Sequence, residues 1–371
     1  VPKKLIIAAT SARGYAKAAV ACGYEVITLD AFADADTRQV ATQTFKLKVG
    51  EHGIDEDDFK HIFLQTIEQI NIDDIKGFLY GGLFDATPYL LDWIAARVPL
   101  IGNAAEVMRI AKDFGFFKVL DTLKIVHPEV RMESPEDTSS WLSKKLGASG
   151  GAHIKPANQA NNGDYFQRKL TGTPISILFV ADGKSARTIG FNQQFVAPMD
   201  NMPYRFAGAV SGVTLPHNIL VDFEHAAQQL TTTLNLRGIN SLDAILEGET
   251  LWILELNPRL SATFHLYENL FSLHMQGCAG SAGSVAAFLP TNKSSRAQFI
   301  LYADDALEVL SDFVWPDWVA DIPAIASKAS SVKITQNEPV CTVFAEAEKA
   351  DTAHMLVLQR AQKLREMLNY D

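Results

Sequence analysis

A short apolar stretch in the second half of the chain ends in a run of polar side chains whose spacing suits chemistry. In Leu251-Trp-Ile-Leu-Glu255-Leu-Asn257-Pro-Arg259 a carboxylate, a carboxamide and a guanidinium recur at every second residue. Side chains alternate faces along a strand. While the chain stays extended, Glu255, Asn257 and Arg259 therefore share one face, and Leu254 and Leu256 take the other. Upstream, Gly238-Ile-Asn-Ser-Leu-Asp243 leads into Glu247-Gly248-Glu249, a hairpin pattern. A turn centred on Glu249 sets Asp243 opposite Glu255. Two carboxylates side by side repel unless a cation lies between them. Oxygen donors from Asp243, Glu255 and Asn257 suit Mg²⁺, which keeps several waters and completes its shell with substrate phosphates. Arg259 is then placed to steady a developing acyl phosphate or oxyanion.

The elements that must hold these groups follow from periodicity. Leu5-Ile-Ile-Ala-Ala9 is a continuous apolar run, as in a buried parallel strand. A Thr10-Ser-Ala-Arg-Gly14 turn and a helix over Tyr15 to Cys22, stopped by Gly23, follow it. Further strands are expected at Glu25 to Leu29, Gly77 to Tyr80 and Pro99 to Gly102, with an amphipathic helix over Phe59 to Ile70. Alternation of this kind implies an open α/β sheet covered on both faces. Lys3-Lys4 before an apolar run could open a signal peptide, but the run is short and a first strand is the better reading.

From residue 104 the pattern changes to α+β. Ser134-Pro-Glu-Asp137 reads as a helix start, with the helix ending at Gly147. A hairpin is expected over Ile175 to Phe191 around Asp182-Gly183, a second over Ser241 to Leu256, and a final helix over Ala353 to Leu368. The division expected is 1–103, 104–290 and 291–371.

Composition narrows the function classes. The apolar fraction of 47% and charged fraction of 20% are those of a soluble globular protein, and 371 residues exceed one ordinary core. The net charge of −10, with no basic block, argues against a nucleic-acid partner. No apolar run reaches a membrane span. The three cysteines are far apart, which suits buried thiols in a reducing cytoplasm rather than zinc or disulfides. No P-loop G-x-x-x-x-G-K occurs. Asp30 at the end of the second strand raises a dinucleotide-binding alternative, but the preceding turn is not G-x-G-x-x-G.

The D-x₁₁-E-x-N-x-R pattern resembles the metal-binding end of the ATP-grasp superfamily of ligases. The resemblance implies ATP with two Mg²⁺ ions (Mn²⁺ as a substitute) on Asp243, Glu255 and Asn257, and Arg259 on the carboxylate or its phosphorylated form. His153-Ile-Lys155-Pro156 resembles the family's "vlKP" strand, which makes Lys155 a phosphate lysine. The family's glycine-rich loop is replaced there by Ala157-Asn-Gln-Ala-Asn-Asn-Gly163, in which Asn162 and Gly163 are expected to present backbone amides to phosphate. Tyr165-Phe-Gln167-Arg168-Lys169-Leu170-Thr-Gly172 is similar to the adenine hinge, with Gln167 accepting from the adenine amine and the Leu170 amide donating back. Lys112, with Lys118 as alternative, corresponds to the first ATP lysine. The N-terminal domain of such proteins often binds substrate, and open α/β sheets place ligands in the turn after a strand. That puts Ser11 and Arg13 where a substrate is expected, with Arg13 either binding its carboxylate or standing as a surface arginine.

What the resemblance implies is a cytoplasmic ligase joining a small carboxylate to an amine through an acyl phosphate. Many relatives are dimers, so a homodimer is one expected assembly. The end of the chain resembles carboligases related to biotin carboxylase; biotin carboxylase itself fits poorly, because the hinge differs and no biotin-acceptor segment occurs. Tyramine–glutamate ligase is similar in size and layout. A regulatory ATP-binding protein with a degraded phosphate loop is the main alternative.

Overall fold

The computed structural model describes residues 3–50, 53–280, 294–325 and 330–368. Its N-terminal part is a five-stranded parallel sheet. The strands are β1 (Lys4–Ala9), β2 (Glu25–Asp30), β3 (Gln43–Lys46), β4 (Ile75–Tyr80) and β5 (Leu100–Ile101), in the order β3-β2-β1-β4-β5. The apolar runs of β1 and β4 are buried on both faces, as parallel strands under helices must be. α1 (Arg13–Ala21) ends before Gly23, whose φ of +86° suits a helix stop. In α2 (Glu56–Glu68) the Asp55 side chain accepts from the Asp58 amide at 2.9 Å, so the acidic stretch is a helix cap. The strand order reverses beside β1, and crevices of open α/β sheets lie at such points.

After α3 (Ala105–Lys112) and α4 (Gly115–Leu123) comes a small antiparallel sheet. It contains β6 (Val130–Arg131), β7 (Trp141–Lys144), β8 (Lys155–Pro156) and β9 (Tyr165–Arg168), ordered β8-β7-β9-β6. This corrects the helix expected over Ser134 to Gly147. Asp137 caps only a single 3₁₀ turn, Thr138–Ser140, and the chain then extends. Trp141 packs with Ala157 and Phe166 in the lobe's own small core, and β7 pairs with both β8 and β9. A strong start signal was outweighed by tertiary pairing.

The main sheet is antiparallel and eight-stranded. β10 (Thr173–Asp182), β11 (Ala186–Val196), β12 (Phe206–Ser211), β13 (Arg237–Glu247) and β14 (Thr250–Asn257) are joined by β15 (Ser295–Tyr302), β16 (Val319–Ala320) and β17 (Pro339–Ala347). The order is β14-β13-β10-β11-β12-β15-β17-β16. The described residues after 293 thus extend this sheet. α5 (His217–Leu234) and α6 (Leu270–Cys278) precede them, and α7 (Ala350–Leu368) closes the chain. α5 packs its apolar face on β10, β13 and β14 through Phe223, Leu230, Ile177, Leu242 and Ile253. Among the described residues no helix is long and apolar enough to cross a membrane. Of the cysteines Cys341 is buried and Cys278 partly so, but Cys22 is exposed, contrary to expectation.

Candidate active site

The register of β13 on β14 sets Asp243 directly opposite Glu255 and Ser241 opposite Asn257. The turn is Gly248-Glu249, half a residue off the expected centre, so Glu247 faces Thr250 and Ala244 faces Ile253. An irregularity between Asp243 and Ala244 leaves Leu254 as the extra residue and restores the carboxylate pairing. It also breaks the expected alternation. Leu256 enters the same core as Leu251 and Ile253, whereas Leu254 does not.

Four separate segments converge on this strand end. The Lys112 ammonium, from the end of α3, donates to Glu255 Oε1, to Asn257 Oδ1 at 2.8 Å, and lies 3.3 Å from Asp85 Oδ2. Asn257 Nδ2 donates to Asp243 Oδ2 at 2.9 Å, and Gln194 Nε2 donates to Asp243 Oδ1 at 2.9 Å. Arg259 donates from Nε and Nη2 to the two Asp85 oxygens at 3.0 and 2.6 Å, a bidentate pair. Asp85 follows the Gly81-Gly82 turn after β4. A Cβ on Gly82 would lie 3.2 Å from Arg259 Nη2, so glycine lets the two domains close on the ion pair.

Electrostatics follow from burial. Burial, then the charge of Glu255, pushes the Asp243 carboxyl up. Burial would raise Glu255 too, but the adjacent Lys112 ammonium holds it low. Asp85 behaves alike, with Arg259 and Lys112 outweighing its desolvation. Its stabilising contribution is therefore complete above the ordinary carboxylate range and is lost as pH falls through its lowered pKa. Asp85→Asn leaves Arg259 buried with half a partner. It is expected to destabilise the fold by about 3–5 kcal/mol in urea unfolding; a loss under about 1 kcal/mol would mean that the pair contributes little.

A fifth group, absent from the sequence reading, is Lys144 at the end of β7. It is 7% exposed, and burial lowers its pKa to about 8 against the opposing charges of Glu255 and Asp243. Lys155 lies one strand away, partly buried and without an ion pair among the described residues. Lys118 is exposed. Of the candidate lysines, Lys112 and Lys144 are thus the two that face the carboxylates.

Between β7 and β8 runs Gly147-Ala-Ser-Gly150-Gly151-Ala-His153, and its three glycines have φ of +71° to +73°. The Gly147 amide donates to the Lys112 carbonyl at 3.2 Å, and its missing Cβ would lie 3.2 Å from the Asp85 carbonyl. This glycine-rich loop therefore begins at the site. By contrast, Ala157 is buried in the small core and residues 158–163 are exposed, with Asp164 as anchor, the Asn161 amide donating to its carboxylate at 2.9 Å. Only Gly163 there is left-handed (φ +89°); Asn162 is not. The left-handed glycines that a phosphate loop uses thus cluster at 147–151 rather than at 157–163. The spacing Lys144-x-x-Gly147-x-x-Gly150-Gly151 was the available signal. Gly151→Ala would put a Cβ 2.0 Å from the Tyr204 carbonyl oxygen at positive φ. A loss of about 2 kcal/mol or more is expected, against about 1 kcal/mol for Gly150→Ala, which meets open space. Equal losses in thermal unfolding would contradict this packing.

The hinge candidates lie along β9. Gln167 is 2% exposed, and its Nε2 is buried without a hydrogen-bond partner. Arg168 and Lys169 are exposed, Arg168 reaching Ser140 Oγ at 3.1 Å; Leu170 is partly buried. Ser11 and Arg13 lie apart from these groups. Both donate to Asp321 Oδ1, at 2.7 and 2.8 Å, and Arg13 lies 3.4 Å from Asp36. Through Asp321 they tie the first domain to the C-terminal lobe.

Comparison with known proteins decides the frame in which these groups belong. Residues 111–263 match the family model described as ATP-grasp domain. The chain contains an ATP-grasp domain. The match spans Lys112, Lys144, the glycine-rich loop, Gln167 and the Asp243–Arg259 hairpin. No curated protein matches the chain by sequence. Solved structures of ligases and of a carboxylase domain match its fold over nearly the whole chain. Phosphoribosylamine–glycine ligase of Thermotoga maritima is 15% identical with a TM-score of 0.66, covering 97% of this chain and 96% of that one. The biotin carboxylase domain of Hydrogenobacter thermophilus 2-oxoglutarate carboxylase, solved with MgADP and bicarbonate, is 11% identical with a TM-score of 0.73, covering 97% and 89%. L-Amino acid ligase of Bacillus licheniformis is 10% identical with a TM-score of 0.69, covering 96% of each.

Proposed function

We propose that the chain is an ADP-forming ligase that activates a small carboxylate as an acyl phosphate and passes it to an amine, giving an amide. The observation that carries this reading is the convergence of Asp243, Glu255, Asn257, Lys112, Lys144 and Arg259 on one strand end inside an ATP-grasp domain.

The donor set fits Mg²⁺. It offers hard oxygens from two facing carboxylates and an amide, and a cation, the Lys112 ammonium, already rests on two of those three side chains. Among the described residues no three Asp, Glu, His or Cys side chains cluster. That suits a metal completed by substrate phosphates rather than a protein-only cage. Bound there, Mg²⁺ would neutralise charge on the transferring phosphoryl group.

The chain's own groups have distinct tasks. Lys112 and Lys144 position phosphate oxygens, and the glycine-rich loop lays backbone amides over them. The unpartnered Gln167 amide and the Leu170 backbone amide face the adenine. Arg259, held rigid by Asp85, meets the negative charge that grows as the carboxylate oxygen attacks phosphorus and again as the amine attacks the acyl carbon. The carboxylate oxygen leaves as inorganic phosphate and the cleaved nucleotide as ADP. The amine attacks the acyl carbon as the neutral base, and the proton it sheds as the amide forms is taken up by the departing phosphate. A purely regulatory nucleotide-binding role, suggested by the single glycine after Lys155, is the second reading, and the left-handed glycines at 147, 150 and 151 favour the ligase over it.

The test is phosphate release from MgATP across a matrix of carboxylic acids and amines that includes glutamate and tyramine. Release requiring one pair, with a product mass equal to the pair minus water, establishes the ligase and names both substrates. ATP binding without release for any pair returns the regulatory reading.

A further inference from the structure

We infer that Gln298 holds the amine substrate, its side-chain carbonyl oxygen accepting an N–H of the nucleophile and so turning the nitrogen lone pair towards the acyl carbon. The inference rests on the function proposed above and adds to that site a residue of β15, which neither the metal pattern nor the hinge includes.

Gln298 is 3% exposed. Its Nε2 donates to the Ala262 carbonyl at 2.9 Å, and its Oε1 is buried without a hydrogen-bond partner among the described residues. Chemistry fixes which end of the amide is which. A backbone carbonyl can only accept, so the nitrogen must face Ala262 and the oxygen must face away. An orphaned buried acceptor costs about 1–3 kcal/mol if nothing ever meets it, and native structures keep few of them. What this oxygen lacks is a donor, an N–H or O–H, and never a carboxylate or phosphate oxygen.

Register places the acceptor on the face of the main sheet that carries the metal pair. Residues directly opposite one another share a face. Gln298 pairs with Ala209 of β12, and Ala209 pairs with Gln194 of β11, whose side chain donates to Asp243 Oδ1. Gln298 therefore stands two strand spacings, roughly 10 Å, from Gln194. Ala262 follows Arg259 by three residues, at most roughly 11 Å of extended chain. The first domain borders the same place. Arg13 lies 5.7 Å over the ring of Phe344, the residue opposite Gln298 on β17. Tyr15 donates to the Ser261 carbonyl at 3.2 Å, next to Ala262. Gln298 is thus at the boundary between the main sheet and the first domain, within one small molecule's length of Arg259.

A neutral acceptor suits the reaction. A carboxylate would favour the ammonium form of the amine and tie up its lone pair. An amide oxygen takes one N–H of the neutral amine. The lone pair then forms the C–N bond as the acyl C–O bond to phosphate breaks, and the phosphate leaves with that bond's electrons and takes up the proton shed.

The experiment uses the full chain with MgATP and the acids of the matrix supplied as one pool. Two nucleophiles are compared. The pooled amines of the matrix are diluted in series, and amide is read by mass. Hydroxylamine in large excess intercepts the acyl phosphate as a hydroxamate and needs no amine site. Gln298→Met, which removes the acceptor at similar volume, is expected to raise the half-saturating amine concentration roughly 10-fold, the loss of one buried hydrogen bond, with the hydroxamate yield changed by less than about 2-fold. Gln298→Glu should recover most of the loss, because burial keeps its carboxyl neutral, its O–H serves the Ala262 carbonyl and its other oxygen still accepts. The hydroxamate yield doubles as the check that each variant is folded. Equal losses of amide and hydroxamate in Gln298→Met would mean that the side chain serves only the Ala262 carbonyl and would overturn the inference. An unchanged half-saturating amine concentration would overturn it too. Both outcomes leave the ligase reading intact. If the unaltered protein forms neither amide nor hydroxamate, the ligase reading falls and this inference with it.

Discussion

Glu255→Gln is expected to reduce ATP turnover by about 10²–10³-fold and to abolish its dependence on Mg²⁺, while the protein unfolds close to its normal midpoint. The reason lies in how the buried charges are shared. Lys112, Lys144 and Arg259 face Asp85, Asp243 and Glu255, three positive against three negative. Removing the Glu255 charge leaves Lys112 with Asp85 at 3.3 Å and Asn257 at 2.8 Å, so its ammonium keeps partners. It also removes the charge that pushes Asp243 up, so the Asp243 carboxyl ionises more readily and restores part of the balance. The fold therefore tolerates the change. Metal binding does not, because a neutral amide cannot replace one of only two carboxylates in the donor set. The check is turnover against Mg²⁺ concentration beside urea unfolding. Wild-type turnover with the usual Mg²⁺ requirement would remove Glu255 from the metal site.

How much of this site could be read from the sequence depended on the range of the contacts involved. The Asp243–Glu255 pairing was legible because a hairpin register is local: a short turn and a period of two nearly fix it. Even there the outcome depended on a bulge at Leu254 that no residue type announces. The parallel strands β1, β2 and β4 were legible because strands buried on both faces are written as apolar runs. The edge strand β3, Gln-Thr-Phe-Lys, is half-polar and was not. Asp85 was out of reach, since it meets Arg259 across 174 residues and nothing near Gly81-Gly82 marks it as a partner. The glycine-rich loop was present in the sequence but misplaced. Ser134-Pro-Glu-Asp137 carries every local mark of a helix start, and reading a helix through to Gly147 hid both the strand that presents Lys144 and the loop behind it. With that strand concealed, Lys155-Pro156 took its place, and 157–163 had to serve as the phosphate loop. Ser11 does lie in the turn after β1, while Arg13 already opens α1, and their partner Asp321 comes from the far end of the chain.

The choice between Lys144 and Lys155 can be settled by their opposite effects on binding and stability. Lys144→Met is expected to weaken MgATP roughly 10- to 100-fold, the value of a charge-assisted contact to phosphate in a buried site. Lys155→Met should stay within about 2-fold. Stability should move the other way for Lys144. Its folded pKa of about 8 lies below the ordinary lysine value of 10.5, so between these pH values the unfolded chain binds more protons than the folded one. The penalty for burying the ammonium is thus complete below pH 8 and falls away as pH rises towards 10.5. A shift of this size corresponds to about 3 kcal/mol. The nucleotide-free protein should therefore gain stability from pH 8 to 10.5 through this group. Lys144→Met should raise the unfolding midpoint at pH 7 by several degrees and remove that gain. A lysine kept at a site where it destabilises the empty protein is one whose charge is needed when phosphate arrives, and the pH dependence of unfolding reads this without any assay of catalysis. If Lys155→Met weakens ATP binding while Lys144→Met leaves both affinity and the unfolding midpoint unchanged, the phosphate lysine is Lys155, and the glycine-rich loop at 147–151 loses its assigned partner.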